Sequence, residues 1–200
     1  MLVIVTVLPP IPPLAKTLVG LGLVTGLRRG ELFALRWKDL GEGDATLSVR
    51  EAVYEGRFDT PKTAAGLRRI PLAPAARGLV GEWRTRSKRT GPDDLIFSTW
   101  SGKPIAPNNV LRSTVFPACE AVGLAHATWL TFRRTYASWA HDLGMPGKVI
   151  AQLMGHAKVD TTLNVYAQVL DDSVRDAAER VGSKLITIDH RAPEVAATTH

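Results

Sequence analysis

From Pro107 nearly to its end the chain repeats apolar residues at helical spacing, broken only at glycine-centred stops, and this makes it a mainly helical protein. Helical segments are expected near 107–122, 131–143, 146–154 and 158–169, separated by Gly123, by Gly144-Met145-Pro146 and by Gly155. A polar amphipathic helix follows at about 172–185, and residues 186–200 lose periodicity and read as a flexible tail. The front half is different. Residues 8–13 form a proline-rich, extended entry to a helix over 14–26, and a second helix is expected at 29–35. Between 45 and 72 the pattern changes to short strands. Leu47-Ser48-Val49, Ala52-Val53-Tyr54 and residues 68–72, with a turn at Glu55-Gly56, read as a small three-stranded antiparallel sheet. Pro74 then opens a helix to about residue 88. The expected class is α+β, mainly helical, with one small sheet near the N-terminal side.

A 45% hydrophobic content supplies a real core, and a net charge of +6 favours a polyanionic partner. The single cysteine, Cys119, excludes an intrachain disulfide and a multi-cysteine zinc site; its neighbours Val115-Phe116-Pro117-Ala118 place it in the core. The apolar opening at 1–8 has no basic flank, is cut short by Pro9, Pro10, Pro12 and Pro13, and is too short to span a bilayer. A cytoplasmic protein with no membrane partner is expected. There is no glycine-rich nucleotide loop and no metal-spaced cluster of His, Asp and Glu, which argues against a basic metabolic enzyme.

Three segments carry chemistry. In Thr25-Gly26-Leu27-Arg28-Arg29-Gly30-Glu31-Leu32 a glycine break sets arginines at a helix start, where backbone N–H groups favour an anion. The plainer alternative is a capping glycine followed by solvated arginines. In Leu130-Thr131-Phe132-Arg133-Arg134-Thr135-Tyr136-Ala137-Ser138 two arginines sit inside an apolar helix, with Leu130, Arg133, Arg134 and Ala137 sharing a broad face. They must reach a carboxylate, a phosphate or solvent. The third segment is Leu153-Met154-Gly155-His156, followed ten residues later by Tyr166. Alone, that tyrosine reads as a packing residue and that histidine as a satisfied surface or core residue.

Together, and in this order, the segments resemble the catalytic domain of the tyrosine recombinases, the phage-integrase family, over residues 14 to 169. The resemblance implies the fold of that catalytic domain. It makes Arg28 the first catalytic arginine and Glu31 its supporting acid, and Pro61-Lys62-Thr63 supplies the strand-turn lysine, Lys62. Arg133 is then the second arginine, His156 the histidine of the Leu-Met-Gly-His box and Tyr166 the nucleophile. One position departs from the pattern: the second box normally reads His-x-x-Arg, and Leu130 stands where that histidine belongs. His126, in an expected loop seven residues before Arg133, is not read as its replacement.

The implied reaction is site-specific DNA recombination, with cleavage and rejoining through a 3′-phosphotyrosyl link, and with no metal and no cofactor. A tyrosine of ordinary pKa, about 10, needs its proton removed before it attacks. Two arginines can hold the non-bridging oxygens of the phosphate. Lys62 can protonate the departing 5′-hydroxyl, and His156 can hydrogen-bond the phosphate. The implied partners are double-stranded DNA and further copies of the chain, a tetramer in the family. Residues 1–13 are then a linker remnant, 14–185 the catalytic domain and 186–200 the tail. Family members carry a DNA-clamping domain ahead of this one. Here the chain would begin at the interdomain linker, either as a truncated product or excised domain, or through a start assigned inside a decayed element. Weak, nearly sequence-neutral DNA binding is expected from such a chain. Leu130 keeps a second reading open, a DNA-binding remnant or accessory protein of a mobile element that keeps the fold without cleaving.

Overall fold

The computed structural model describes residues 11–60 and 66–156; Lys62, Tyr166, the helices expected at 158–169 and 172–185 and the tail at 186–200 lie outside the described residues. In chain order the elements are α1 (Pro13–Thr25), α2 (Arg29–Ala34), β1 (Thr46–Val49), β2 (Ala52–Tyr54), β3 (Arg57–Asp59), β4 (Arg68–Pro71) and α3 (Pro74–Arg86). They are followed by α4 (107–121), α5 (Trp129–Asp142) and α6 (Gly147–Met154).

α1 is apolar on nearly every side and is accordingly the central helix, packed against α3 and α5. Pro13 opens it where a missing N–H costs nothing. Gly26 closes it at φ 61°, its N–H donating to the Gly22 carbonyl (3.2 Å). The Tyr136 ring lies so close to Gly26 that a Cβ there would fall inside contact distance. Leu18 and Leu21 of α1, Phe33 of α2, Ile96 and Phe97 of the loop before α4, and Ile150 of α6 are all fully buried. Phe33 meets Trp129 edge-on with ring centroids 5.0 Å apart, and this contact joins α2 to α5. Cys119 is buried in the same core, as its neighbours suggest.

The mainly helical architecture with a small antiparallel β region is the expected one, but the strands do not form one three-stranded sheet. They make two pairs, β1 with β4 and β2 with β3. Glu55 (φ 49°) and Gly56 (φ 77°) form a two-residue turn with both φ positive, which folds β3 back on β2 in the register Val53↔Phe58. β3, the strand that the sequence pattern did not count, is the one that pairs with β2. Its three residues, Arg57-Phe58-Asp59, are all exposed, and an alternation so short does not by itself mark a strand. β4 pairs instead with β1, placing Arg68 opposite Val49.

α4 is not a continuous α-helix. Pro107–Val110 and Phe116–Ala121 are α-helical, and Leu111–Val115 between them is a π-turn in which the Phe116 N–H reaches back to Leu111. Pro117 lacks an N–H and crowds the preceding turn, so the ladder widens there. α5 begins at Thr128, whose hydroxyl accepts from the Thr131 N–H (3.2 Å). The broad face expected on this helix divides. Arg133 and Ala137 are buried, whereas Leu130 and Arg134 are exposed. One residue turns an α-helix by about 100°, so adjacent arginines cannot both face the core.

Candidate functional site

Arg28 stands just ahead of α2, in extended backbone (φ −68°, ψ 150°). The Glu31 carboxylate folds back on it, accepting from the Arg28 backbone N–H (2.9 Å) and from its Nη1 (2.8 Å). This is the return half of a capping box, and it uses up a helix-start N–H group that the sequence offered to an anion. Glu31 is 3% exposed, and a carboxylate so deep needs more than one partner. The second is Arg68 on β4, whose Nη1 and Nη2 donate to the two Glu31 oxygens at 3.1 and 2.8 Å.

Arg133 reaches the same place from α5. It donates through Nη1 to the Gly26 carbonyl and through Nη2 to the Met154 carbonyl (2.8 Å) and to His156 Nε2 (2.7 Å). An arginine can only donate, so Nε2 is the acceptor and the imidazole proton sits on Nδ1. His156 is brought there by the end of α6. Gly155 adopts φ 69°, and the His156 N–H bonds back to Ala151 (2.9 Å), so the chain reverses sharply after Met154.

The last carbonyls of α6 tie the site together. Arg68 Nε donates to Leu153 (2.7 Å), Arg133 Nη2 to Met154 (2.8 Å) and Arg28 Nη2 to Gly155 (2.6 Å). Three consecutive carbonyls thus each receive a guanidinium from a different part of the chain. The end of a helix leaves such oxygens without partners and carries partial negative charge, so it suits cations on both counts.

The electrostatics follow from this crowding. Burial raises the pKa of Glu31, but the hydrogen bonds and charges of Arg68 and Arg28 outweigh it, and the carboxyl is held below its ordinary range. Burial, then the Arg28 charge, brings Arg133 down to about 10, so it stays cationic at neutral pH. Burial, and then Arg133, Arg28 and Arg68, brings His156 down to about 4, so it is neutral there. Burial raises the pKa of Tyr136 against the pull of Arg68.

Of the residues singled out from sequence, Arg28, Glu31, Arg133 and His156 come together. Leu130 is 55% exposed at the first turn of α5. His126 turns instead to α4, hydrogen-bonded to Glu120 (2.7 Å) and stacked on Phe116. Lys62 and Tyr166 lie outside the described residues. The sequence pattern puts Arg68 in a strand and does not mark it as part of the site. Strand alternation carried the signal, because Arg68 shares a face with the buried Ile70 and Leu72. Among the described residues no group of three or more His, Cys, Asp or Glu side chains is placed to hold a metal, and no helix is long and apolar enough to cross a membrane.

The phage integrase family model matches residues 8–173. The tyrosine recombinase XerC-like protein of Caldanaerobacter subterraneus subsp. tengcongensis is 26% identical over 195 residues, which cover 86% of this chain and 50% of that protein. The putative defective protein IntQ of Escherichia coli is 28% identical, over 80% of this chain and 46% of its own length. The chain spans about half the length of these relatives. Among solved structures, the Tn1549 transposon integrase in complex with transposon right end DNA superposes with a TM-score of 0.75 at 24% identity, covering 89% of this chain and 62% of that one. The XerA recombinase gives 0.64 at 20% identity, covering 91% and 58%. These likenesses establish the fold as that of the tyrosine-recombinase catalytic domain.

Proposed function

The chain belongs to the phage integrase family, and from that membership and the geometry of the arginine site we propose that it cleaves and rejoins double-stranded DNA as the catalytic domain of a site-specific recombinase. One observation carries the reading. Arg28 and Arg68 share the single Glu31 carboxylate and Arg133 stands beside them against His156, so among the described residues the cluster holds surplus positive charge beside a neutral His156. A phosphodiester supplies the missing negative charge.

In this reading the Tyr166 oxygen attacks the phosphorus and the bond to the 5′ oxygen breaks. Lys62 gives that oxygen a proton as it leaves, and the DNA remains attached through a 3′-phosphotyrosyl link. Arg28 and Arg133 offset the charge that gathers on the non-bridging oxygens, Glu31 holds Arg28, and His156 hydrogen-bonds the phosphate. Attack by a 5′-hydroxyl on the link rejoins the strand, because the phosphodiester energy is retained. The reaction needs no metal and no cofactor from this chain. Residues 14–185 form the catalytic domain, preceded by a linker at 1–13 and followed by a tail at 186–200. The chain acts in the cytoplasm and assembles with further copies on DNA, as a tetramer, with the segment 172–185, expected from its sequence to be an amphipathic helix, as an assembly element.

Leu130 favours a second reading, a DNA-binding remnant or accessory protein of a mobile element in which cleavage is impaired. Its exposed side chain stands where the family pattern places a histidine. A nicked suicide duplex separates the two. A denaturant-resistant protein–DNA adduct that disappears in Tyr166→Phe is the expected result, formed faster in Leu130→His. Duplex binding without any adduct, across a panel of candidate mobile-element ends, supports the second reading.

A further inference from the structure

Arg68 has no part in the reaction as set out above, yet more contacts in the site depend on it than on any other side chain of β4. Its side chain is 6% exposed, too deep to reach a bound duplex. Its donors go to three places: both Glu31 oxygens, the Leu153 carbonyl and, at 3.4 Å, the Gly66 carbonyl. Glu31 in turn holds Arg28 by its backbone N–H and by its guanidinium. The same row of α6 carbonyls that receives Arg68 also seats Arg28 and Arg133.

We propose that Arg68 is a positioning residue of the site, setting Arg28 through Glu31 and the α6 terminus through Leu153. The inference rests on the recombinase reading and deepens it. The physical reason is competition for one buried carboxylate. With Arg68 forked across both oxygens, Glu31 is already paired, and the half-exposed Arg28 keeps donors for a phosphate. Without that fork Arg28, already paired with Glu31 through Nη1, is left as its only guanidinium partner and is drawn further onto it, away from the DNA. Lysine at this position keeps the charge but loses the fork, which isolates geometry from long-range attraction.

The test uses the full chain with Arg68→Lys, Arg28→Ala and the double variant, each checked by thermal melting. Adduct formation on the suicide duplex is expected to slow about 100-fold in Arg68→Lys, the scale for a misplaced reacting group. Affinity for plain duplex should fall only as far as it does in Arg28→Ala. The double variant should react within about 3-fold of Arg28→Ala alone, because the two residues act as one unit. An unchanged rate in Arg68→Lys, or two effects that multiply in full, overturns the proposal. Should Arg68→Lys fail to fold, Glu31→Gln cuts the same link and must show the same non-additivity with Arg28→Ala. If the wild-type chain binds duplex without forming an adduct, the recombinase reading fails separately. Duplex affinity then decides: Arg28→Ala must weaken binding in the wild-type background and not in Arg68→Lys, and equal weakening in both overturns the positioning role.

Discussion

At Arg133 burial and charge pull in opposite directions. The residue is 8% exposed, and burial lowers its pKa to about 10, yet the Gly26 and Met154 carbonyls and His156 take up its donors and hold the charge in place. His156 is the more sensitive partner, because burial, and then the charges of Arg133, Arg28 and Arg68, disfavour its cation and bring its pKa to about 4, against an ordinary 6.5. The unfolded chain therefore takes up this proton first as pH falls. The stability associated with neutral His156 is complete above about pH 6.5, is lost between there and about pH 4, and changes no further below. Denaturant melts across that range should show the slope, and His156→Gln, which still offers Arg133 an acceptor, should flatten it. Phosphate binding acts in the opposite sense. An anion favours the imidazolium, so duplex affinity should rise as pH falls through the same window, with proton uptake measurable by titration in buffers of different ionisation heat. The motifs put Arg28, Glu31, Arg133 and His156 forward as candidates for one site, because the spacing within each motif is local. Arg68 was harder to find, since its partner Glu31 is 37 residues away.

Helix α6 shows what a short element contributes. Its apolar positions Ile150, Ala151 and Met154 bury one face, a pattern plain in the sequence, and Gly155 ends it where the sequence predicts the stop. The sequence did not show that the terminus is itself the meeting point of three arginines. Gly155→Ala should cost about 1–2 kcal/mol, because a Cβ is disfavoured at positive φ. It should also move His156 and the Gly155 carbonyl together, so adduct formation ought to fall by more than the loss of stability explains. Denaturant unfolding set beside suicide-duplex kinetics checks this, and a variant with wild-type kinetics would show that the turn is only a cap. α5 teaches the opposite lesson. Helical periodicity was legible, but the face that Leu130 and Arg134 occupy was not, because a broad stripe read from sequence is blurred by a full residue of rotation.

On the scale of the whole molecule, a net charge of +6 and a cluster with surplus guanidinium predict that duplex binding is dominated by phosphate contacts. Affinity measured by fluorescence anisotropy should fall steeply with salt and vary little with sequence, and Arg28→Ala should reduce the salt slope by about one. Submicromolar, site-selective binding at physiological salt would count against this. The sequence by itself determined the helical class, the order of the arginine, lysine, histidine and tyrosine motifs, and the chemistry they imply, since each is written in residues a few positions apart. Tertiary structure alone decided the pairing of β1 with β4 and of β2 with β3, and which of two neighbouring arginines turns inward. It also decided that the end of α6 gathers Arg28, Arg68 and Arg133. Those outcomes depend on contacts between segments far apart in the chain, where local periodicity carries no information and only the packed core selects among the arrangements that each segment allows.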